Sequence, residues 1–208
     1  MKKIFNSWKL FVENTDNQTE KVRLDIIKTL IIYITEGPEK ANVSNQDIDL
    51  IKGMIMKKQQ GFAEPRAEKL YRGLSLNSKE TLDKVLQSIY PGKIPEEKTS
   101  FKDEVFGTTW TVYEQEGTYN HVNDSVSSWS DEFENAMAFS LGYPGEYSII
   151  FEAEANKNKN LLLDLAPFYS FVRERTGKTN FDSETETLGL GDLKLSRVFF
   201  MNREQIKQ

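Results

Sequence analysis

Lys69-Leu70-Tyr71-Arg72-Gly73-Leu74-Ser75-Leu76 is the stretch at which the chain changes character. Leu70, Arg72, Leu74 and Leu76 alternate onto one face, the two-residue period of a strand. Upstream the period is that of a helix. Residues 19–35 carry Val22, Ile26, Ile27, Leu30, Ile31 and Ile34 close to a 3.6-residue stripe, and Gly37-Pro38 stops it. Ser44 offers the next N-cap, with Asp47 in the first turn, for a helix running through Ile48, Ile51, Met54 and Ile55 to about Gln60. Residues 1–65 therefore read as a helical N-terminal lobe. Residues 66–208 read as a strand-rich core, packed with that lobe as one unit because no flexible linker separates them.

Downstream, Ser78 caps a helix through Leu82, Val85, Leu86 and Ile89, ended by Pro91-Gly92. Strands are expected over 105–112, 121–130, 147–155, 160–163, 184–190 and 193–201, and helices over 131–140 and 166–175. The class is α+β. Glu152 and Glu154 alternate with Phe151 and Ala153, which reads as a solvated sheet face. Asp164 ends an apolar strand and can cap the helix expected after it.

The 208 residues are 38% hydrophobic, 28% charged and 12% aromatic, within the range of a globular domain. A net charge of −5 argues against a broad phosphate-binding footprint, though not against a local basic groove. There is no cysteine, which removes disulfides, thiolate metal sites and a Cys nucleophile. A lone histidine, His121, rules out a multi-His metal centre. The apolar run near 30–34 is too short to cross a bilayer, and the polar 4–9 segment makes no signal-peptide core. The expectation is a cytoplasmic chain with no membrane partner and no metal.

Three polar groups stand on apolar strand faces. Arg72 shares its face with leucines, so its guanidinium needs a partner. Its fork suits a carboxylate or a phosphate; taken alone, the residue reads first as a structural Arg–Glu pair or as an edge side chain that snorkels to water. In Ser128-Trp129-Ser130 the two serines share one face and the tryptophan takes the other. Ser130 is placed to cap the following helix, whose Ala136 and Phe139 are expected to pack inward. In Glu184-Thr185-Glu186 the carboxylates lie side by side, roughly 7 Å apart along a strand. Such a pair splits its pKa values and suits cation stabilisation combined with proton handling. A polar loop with one aromatic, Phe181, precedes it, as a target contact or as a core plug.

Taken in order, Leu70-Tyr71-Arg72-Gly73, Ser128-Trp129-Ser130 with Ala136 and Phe139, and Glu184-Thr185-Glu186 followed by Gly191 resemble one pattern. It is that of the arginine–serine–glutamate group of mono-ADP-ribosyltransferases, which includes bacterial toxins and enzymes of tailed phages. The resemblance spans about 70–201. It departs at Trp129, where a small residue is usual, and this leaves Ser128 and Ser130 to be told apart. Spacing to Ala136 and Phe139 favours Ser128. The fold implied is two small packed β-sheets with an NAD cleft between them. The roles implied are NAD phosphate binding by Arg72, with Gly73 and Ser130 beside the cofactor, and ribose binding or Glu186 positioning by Ser128. Glu186 would stabilise the cation formed as nicotinamide leaves. Glu184 would orient the acceptor, a protein arginine in the family, and Phe181 would touch the target. The segment 142–146 would close over the pyrophosphate. The resemblance implies NAD as substrate and a host protein as target. It also leaves room for a nucleic acid acceptor, for NAD hydrolysis, and for an antitoxin or inhibitor partner. A histidine replaces the arginine in another branch of the superfamily; with Arg72 in its motif, His121 reads as a surface or core residue. Trp110 and Tyr119 read as core or as lining for an adenine.

Overall fold

The computed structural model describes residues 67–105, 107–120, 127–165 and 186–206, together with Ile32, which is helical. The 1–65 lobe as a whole, the 166–175 helix, His121, Phe181 and Glu184 lie outside the described residues.

Among the described residues, nine strands form an antiparallel sheet. They are β1 (Lys69–Leu76), β2 (Thr99–Lys102), β3 (Thr109–Tyr113), β4 (Gly117–Tyr119), β5 (Ser127–Ser130), β6 (Tyr147–Glu154), β7 (Leu162–Asp164), β8 (Glu186–Gly189) and β9 (Leu193–Asn202). The order is β2-β3-β9-β6-β1-β5-β8-β7, and β4 also pairs with β9. Among the described residues, helices accompany them at α1 (Lys79–Ile89), α2 (Phe133–Gly142) and the single turn α3 (Ala155–Asn158), besides the helical Ile32. A 3-10 turn, Arg203–Ile206, follows β9. The class is α+β, as the sequence implies. The separate sheets of the resemblance are here one hydrogen-bonded path, but the path has a weak point. β1 pairs along its whole length with β6, from Lys69↔Glu154 to Leu76↔Tyr147. It meets β5 at a single pair, Tyr71↔Ser130.

The local signals of α1 work as expected. Ser78 accepts from the Thr81 amide at 3.3 Å, and Leu82, Leu86 and Ile89 are buried on one face of the sheet. Each buried aliphatic side chain is worth about 1.5–3 kcal/mol. On the other face, α2 lies over β1. Ala136 and Met137 join Trp110, Val112, Ile150, Phe199 and Met201 there. Phe133 anchors the layer, with its ring centroid 5.1 Å from that of Phe199 and 5.6 Å from that of Tyr71. The inward stripe of α2 is thus 133, 136, 137 and 140. Phe139 falls off it and is exposed, contrary to the inward packing expected from the sequence. The N-cap is Glu132, not Ser130; the Ser130 hydroxyl instead accepts from the Glu132 amide at 3.2 Å, a short turn just ahead of the helix.

Covering both faces corrects a second expectation. β6 is central and sealed on both sides, so Glu152 is 1% exposed rather than solvated. Its cross-strand partner is Arg197, whose Nε donates to the carboxylate at 2.9 Å. Ser196 Oγ donates at 2.8 Å, and Lys69 Nζ stands 3.4 Å away. Burial pushes the Glu152 pKa up, but the hydrogen bonds from Arg197 and Ser196 and the charges of Arg197 and Lys69 outweigh it. The carboxyl ends below its ordinary 4.5. A group lowered in the folded state contributes stability that is present above its unfolded pKa and lost as pH falls through the folded one. Acid unfolding monitored by circular dichroism should therefore show stability falling as pH drops below 4.5. Glu152→Gln should flatten that limb; an unchanged acid limb in the variant would refute the assignment.

Gly73 has a steric reason. A Cβ there would sit 1.7 Å from the Ala136 carbonyl oxygen, because the α2 backbone rests directly on β1. Gly73→Ala should cost about 3 kcal/mol or more in urea unfolding, by lifting the helix off the strand. A loss below about 0.5 kcal/mol would mean that the helix is not seated this closely.

Candidate functional site

The three polar segments picked out in the sequence lie on three adjacent strands, Arg72 on β1, Ser128 and Ser130 on β5, and Glu186 at the start of β8. Past the Tyr71↔Ser130 pair, β1 and β5 no longer pair by backbone. The Arg72 side chain bridges them there. Its Nη1 donates to the Ser128 carbonyl at 2.8 Å, and its Nε donates to the Tyr119 hydroxyl at 3.1 Å. The guanidinium thus takes a carbonyl that a ladder amide would otherwise satisfy. Tyr119 comes from β4 and packs on Trp129 and Phe151 as well. It orients the arginine, a role that the sequence did not reveal because 47 positions separate the two.

The serines divide their work by register. Ser130 stands directly opposite Glu186, whereas Ser128 stands opposite Leu188. Ser130, rather than Ser128, is the lateral neighbour of the glutamate. Ser128 enters through its carbonyl, held by Arg72. Trp129 points to the other face. It is buried, its indole N–H donates to Ser127 Oγ at 2.6 Å, and it occupies space left open by Gly189. A Cβ on Gly189 would lie 2.7 Å from the indole nitrogen. The bulky residue in the serine motif is thereby accommodated without displacing the serines.

Parity puts Arg72 on the Trp129 face and Glu186 on the Tyr71 face. A ligand touching both must lie across the gap between β1 and β5. On the Glu186 face the registers line up a row: Glu186, Ser130, Tyr71, Glu152 and Arg197, on β8, β5, β1, β6 and β9. The Tyr71 hydroxyl is hydrogen-bonded to Glu152; burial first, and that carboxylate second, push its pKa up to about 12. It stays a neutral hydroxyl at any physiological pH.

Other expectations change. The segment 142–146 does make a close backbone approach, but to β1. Ser75 Oγ donates to the Tyr143 and Pro144 carbonyls, and the Glu146 amide donates to the Leu76 carbonyl at 3.0 Å. Gly145 is needed against Ser75, whose hydroxyl a Cβ would meet at 2.3 Å. Arg203 pins the same loop from below through Ser75, Ser148 and the carbonyls of Ser140 and Tyr143. Trp110 is wholly buried under α2 and lines no opening. A surface cleft of about 440 Å³ between the end of α1 and β4, lined by Tyr90, Lys93, Thr118 and Lys194 among others, holds none of the motif residues. No cluster of His, Asp or Glu among the described residues could hold a metal. No described helix is long and apolar enough to cross a membrane.

Comparison with family models, curated proteins and solved structures finds no match to this chain. Its residues must therefore be read on their own geometry.

Tyr119→Phe should cost about 1 kcal/mol, and Arg72→Lys somewhat more, because a lysine reaches only one of the two acceptors. A double-mutant cycle by urea unfolding should return a coupling of about 1 kcal/mol between the two positions. Additive losses would show that Tyr119 does not hold the arginine.

Proposed function

We propose that this chain is a mono-ADP-ribosyltransferase that moves ADP-ribose from NAD to an arginine of a macromolecular protein target, releasing nicotinamide. The observation that carries the reading is the placement of Arg72, the serine motif and Glu186 on three neighbouring strands, β1, β5 and β8, from segments far apart in sequence. The narrow join between β1 and β5 supports the finer expectation of two small sheets meeting at an NAD cleft.

In this reading the NAD pyrophosphate lies at the seam against Arg72, the only one of the three motif groups with a permanent positive charge. The nicotinamide ribose lies toward Ser130 and Glu186. The bond from ribose C1′ to the nicotinamide nitrogen breaks, and its electron pair leaves with the ring, which becomes neutral nicotinamide. The oxocarbenium-like ribose is stabilised by the Glu186 carboxylate, which also accepts from the 2′-hydroxyl. A guanidine nitrogen of the target attacks C1′ and gives up a proton, for which Glu184 is the proposed acceptor. Ser130 holds Glu186 in place as its lateral partner. NAD is a substrate here, and the chemistry needs no metal.

The test is transfer of label from NAD carrying a tagged adenylate into bacterial lysate, with wild type beside Glu186→Gln. Label on protease-sensitive, nuclease-resistant material from wild type is expected. The variant should lose at least about a hundredfold in rate, the scale of one electrostatic group at the reacting centre, with its fold unchanged. Label removed by nuclease would place the acceptor on nucleic acid, and nicotinamide release with no label would mean hydrolysis of NAD. Full activity in Glu186→Gln would overturn the mechanism.

A further inference from the structure

The inward stripe of α2 leaves Phe139 and Tyr143 at its other side, 61% and 62% exposed. Phe139 lies in the last turn of α2, Tyr143 is the C-cap four positions on, and Glu132 is the N-cap seven positions before Phe139. Contiguous exposed apolar surface marks interaction sites, and these two rings are the exposed apolar groups at this end of α2. The backbone that carries them is fixed. The Tyr143 carbonyl accepts from Arg203 Nη1 at 2.6 Å and from Ser75, which lowers the cost of ordering the backbone at that end of the surface.

The chain on either side of them is acidic, with one guanidinium, that of Arg203, against the Tyr143 backbone. Residues 131–147 include Asp131, Glu132, Glu134 and Glu146, and no lysine, arginine or histidine. The nearby cation, Arg203, is turned inward onto the carbonyls of Ser140 and Tyr143. Aromatic faces rimmed by carboxylates attract guanidinium groups, which stack on rings while pairing with acids. The same surface repels a phosphate backbone. The helix also starts beside the candidate site. Its N-cap amide donates to Ser130 Oγ, and Ser130 stands opposite Glu186.

We propose that the outer face of α2, with the loop 143–146, docks an arginine-rich segment of a protein partner. The surface names the partner class of the proposed transferase and rests on that reading only for what happens to the bound arginine. A chain lying along α2 toward its N-terminus delivers its side chains to Ser130 and Glu186, beside the seam between β1 and β5.

The test is fluorescence anisotropy with a fluorescein-labelled alternating Arg–Gly peptide. A Lys–Gly peptide and a labelled single-stranded RNA serve as competing chemistries. Wild type should bind the Arg–Gly peptide, the Lys–Gly peptide more weakly and the RNA not at all. Phe139→Ser with Tyr143→Ser should weaken Arg–Gly binding about tenfold. Glu132→Gln with Glu134→Gln should weaken it about threefold, and less as salt rises. All four positions lie at the surface, and circular dichroism checks that each variant is folded. Wild type that does not bind the peptide, double variants that bind it as wild type does, or RNA binding lost with the same substitutions would each overturn the surface. Nicotinamide release from NAD, measured on the same proteins, separates the two readings. Peptide binding that depends on these residues in a protein that releases none would keep the surface and remove the transferase. Release with peptide binding indifferent to the substitutions would do the reverse.

Discussion

Between β1 and β5 the sheet is held by one backbone pair and one arginine. Among the described residues, β5, β8 and β7 join the main sheet by one backbone pair, Tyr71↔Ser130, with Arg72, the start of α2 and the packing of Trp129 and Leu162 in the core as side-chain links. A strand edge left with unpaired carbonyls is costly in a protein interior. Arg72 satisfies one while keeping the strands apart, which a ladder could not do. Tyr119 fixes the other end of the guanidinium from β4, so the width of the seam is set by three elements at once. The same arginine that the sequence marks as needing an anion is thus already structural, through two of its donor groups.

The row from Glu186 to Arg197 acts on register. A one-residue slip of β6 would turn Glu152 to the face of α1, among leucines, and away from Arg197 and Tyr71. An unpaired buried carboxylate is far less tolerable than an apolar residue displaced by one position. Glu152 therefore selects one alignment of β1, β6 and β9, and that alignment places Tyr71 opposite Ser130.

Much of this fold was legible because its signals were local. The leucine alternation of 69–76, the Ser78 cap and the apolar run of 193–201 each decided an element from neighbouring residues. The failures were not local. Glu152 looked solvated because its cation lies 45 positions away. Phe139 looked buried because its three-residue spacing from Ala136 matched a motif, while the helix actually turned Phe133 and Met137 inward. The short strands β2 and β4 had too few residues to show a period. At the candidate site, the residue types were legible and their division of labour was not. Which serine faces Glu186 depends on a register that no single strand encodes, and the role of Tyr119 exists only after folding.

The packing of Trp129 over Gly189 has a consequence for how this chain can vary. The indole fills what a side chain at 189 would need, so the two positions are not independent characters. A side chain at 189 would meet the indole nitrogen, the Ser127 hydroxyl and a Leu193 methyl together, so shrinking 129 removes only one of three obstacles. Substitution at 189 therefore waits on changes at several neighbours, and the tryptophan that makes the serine motif look foreign is one of the side chains that keep a glycine on the next strand.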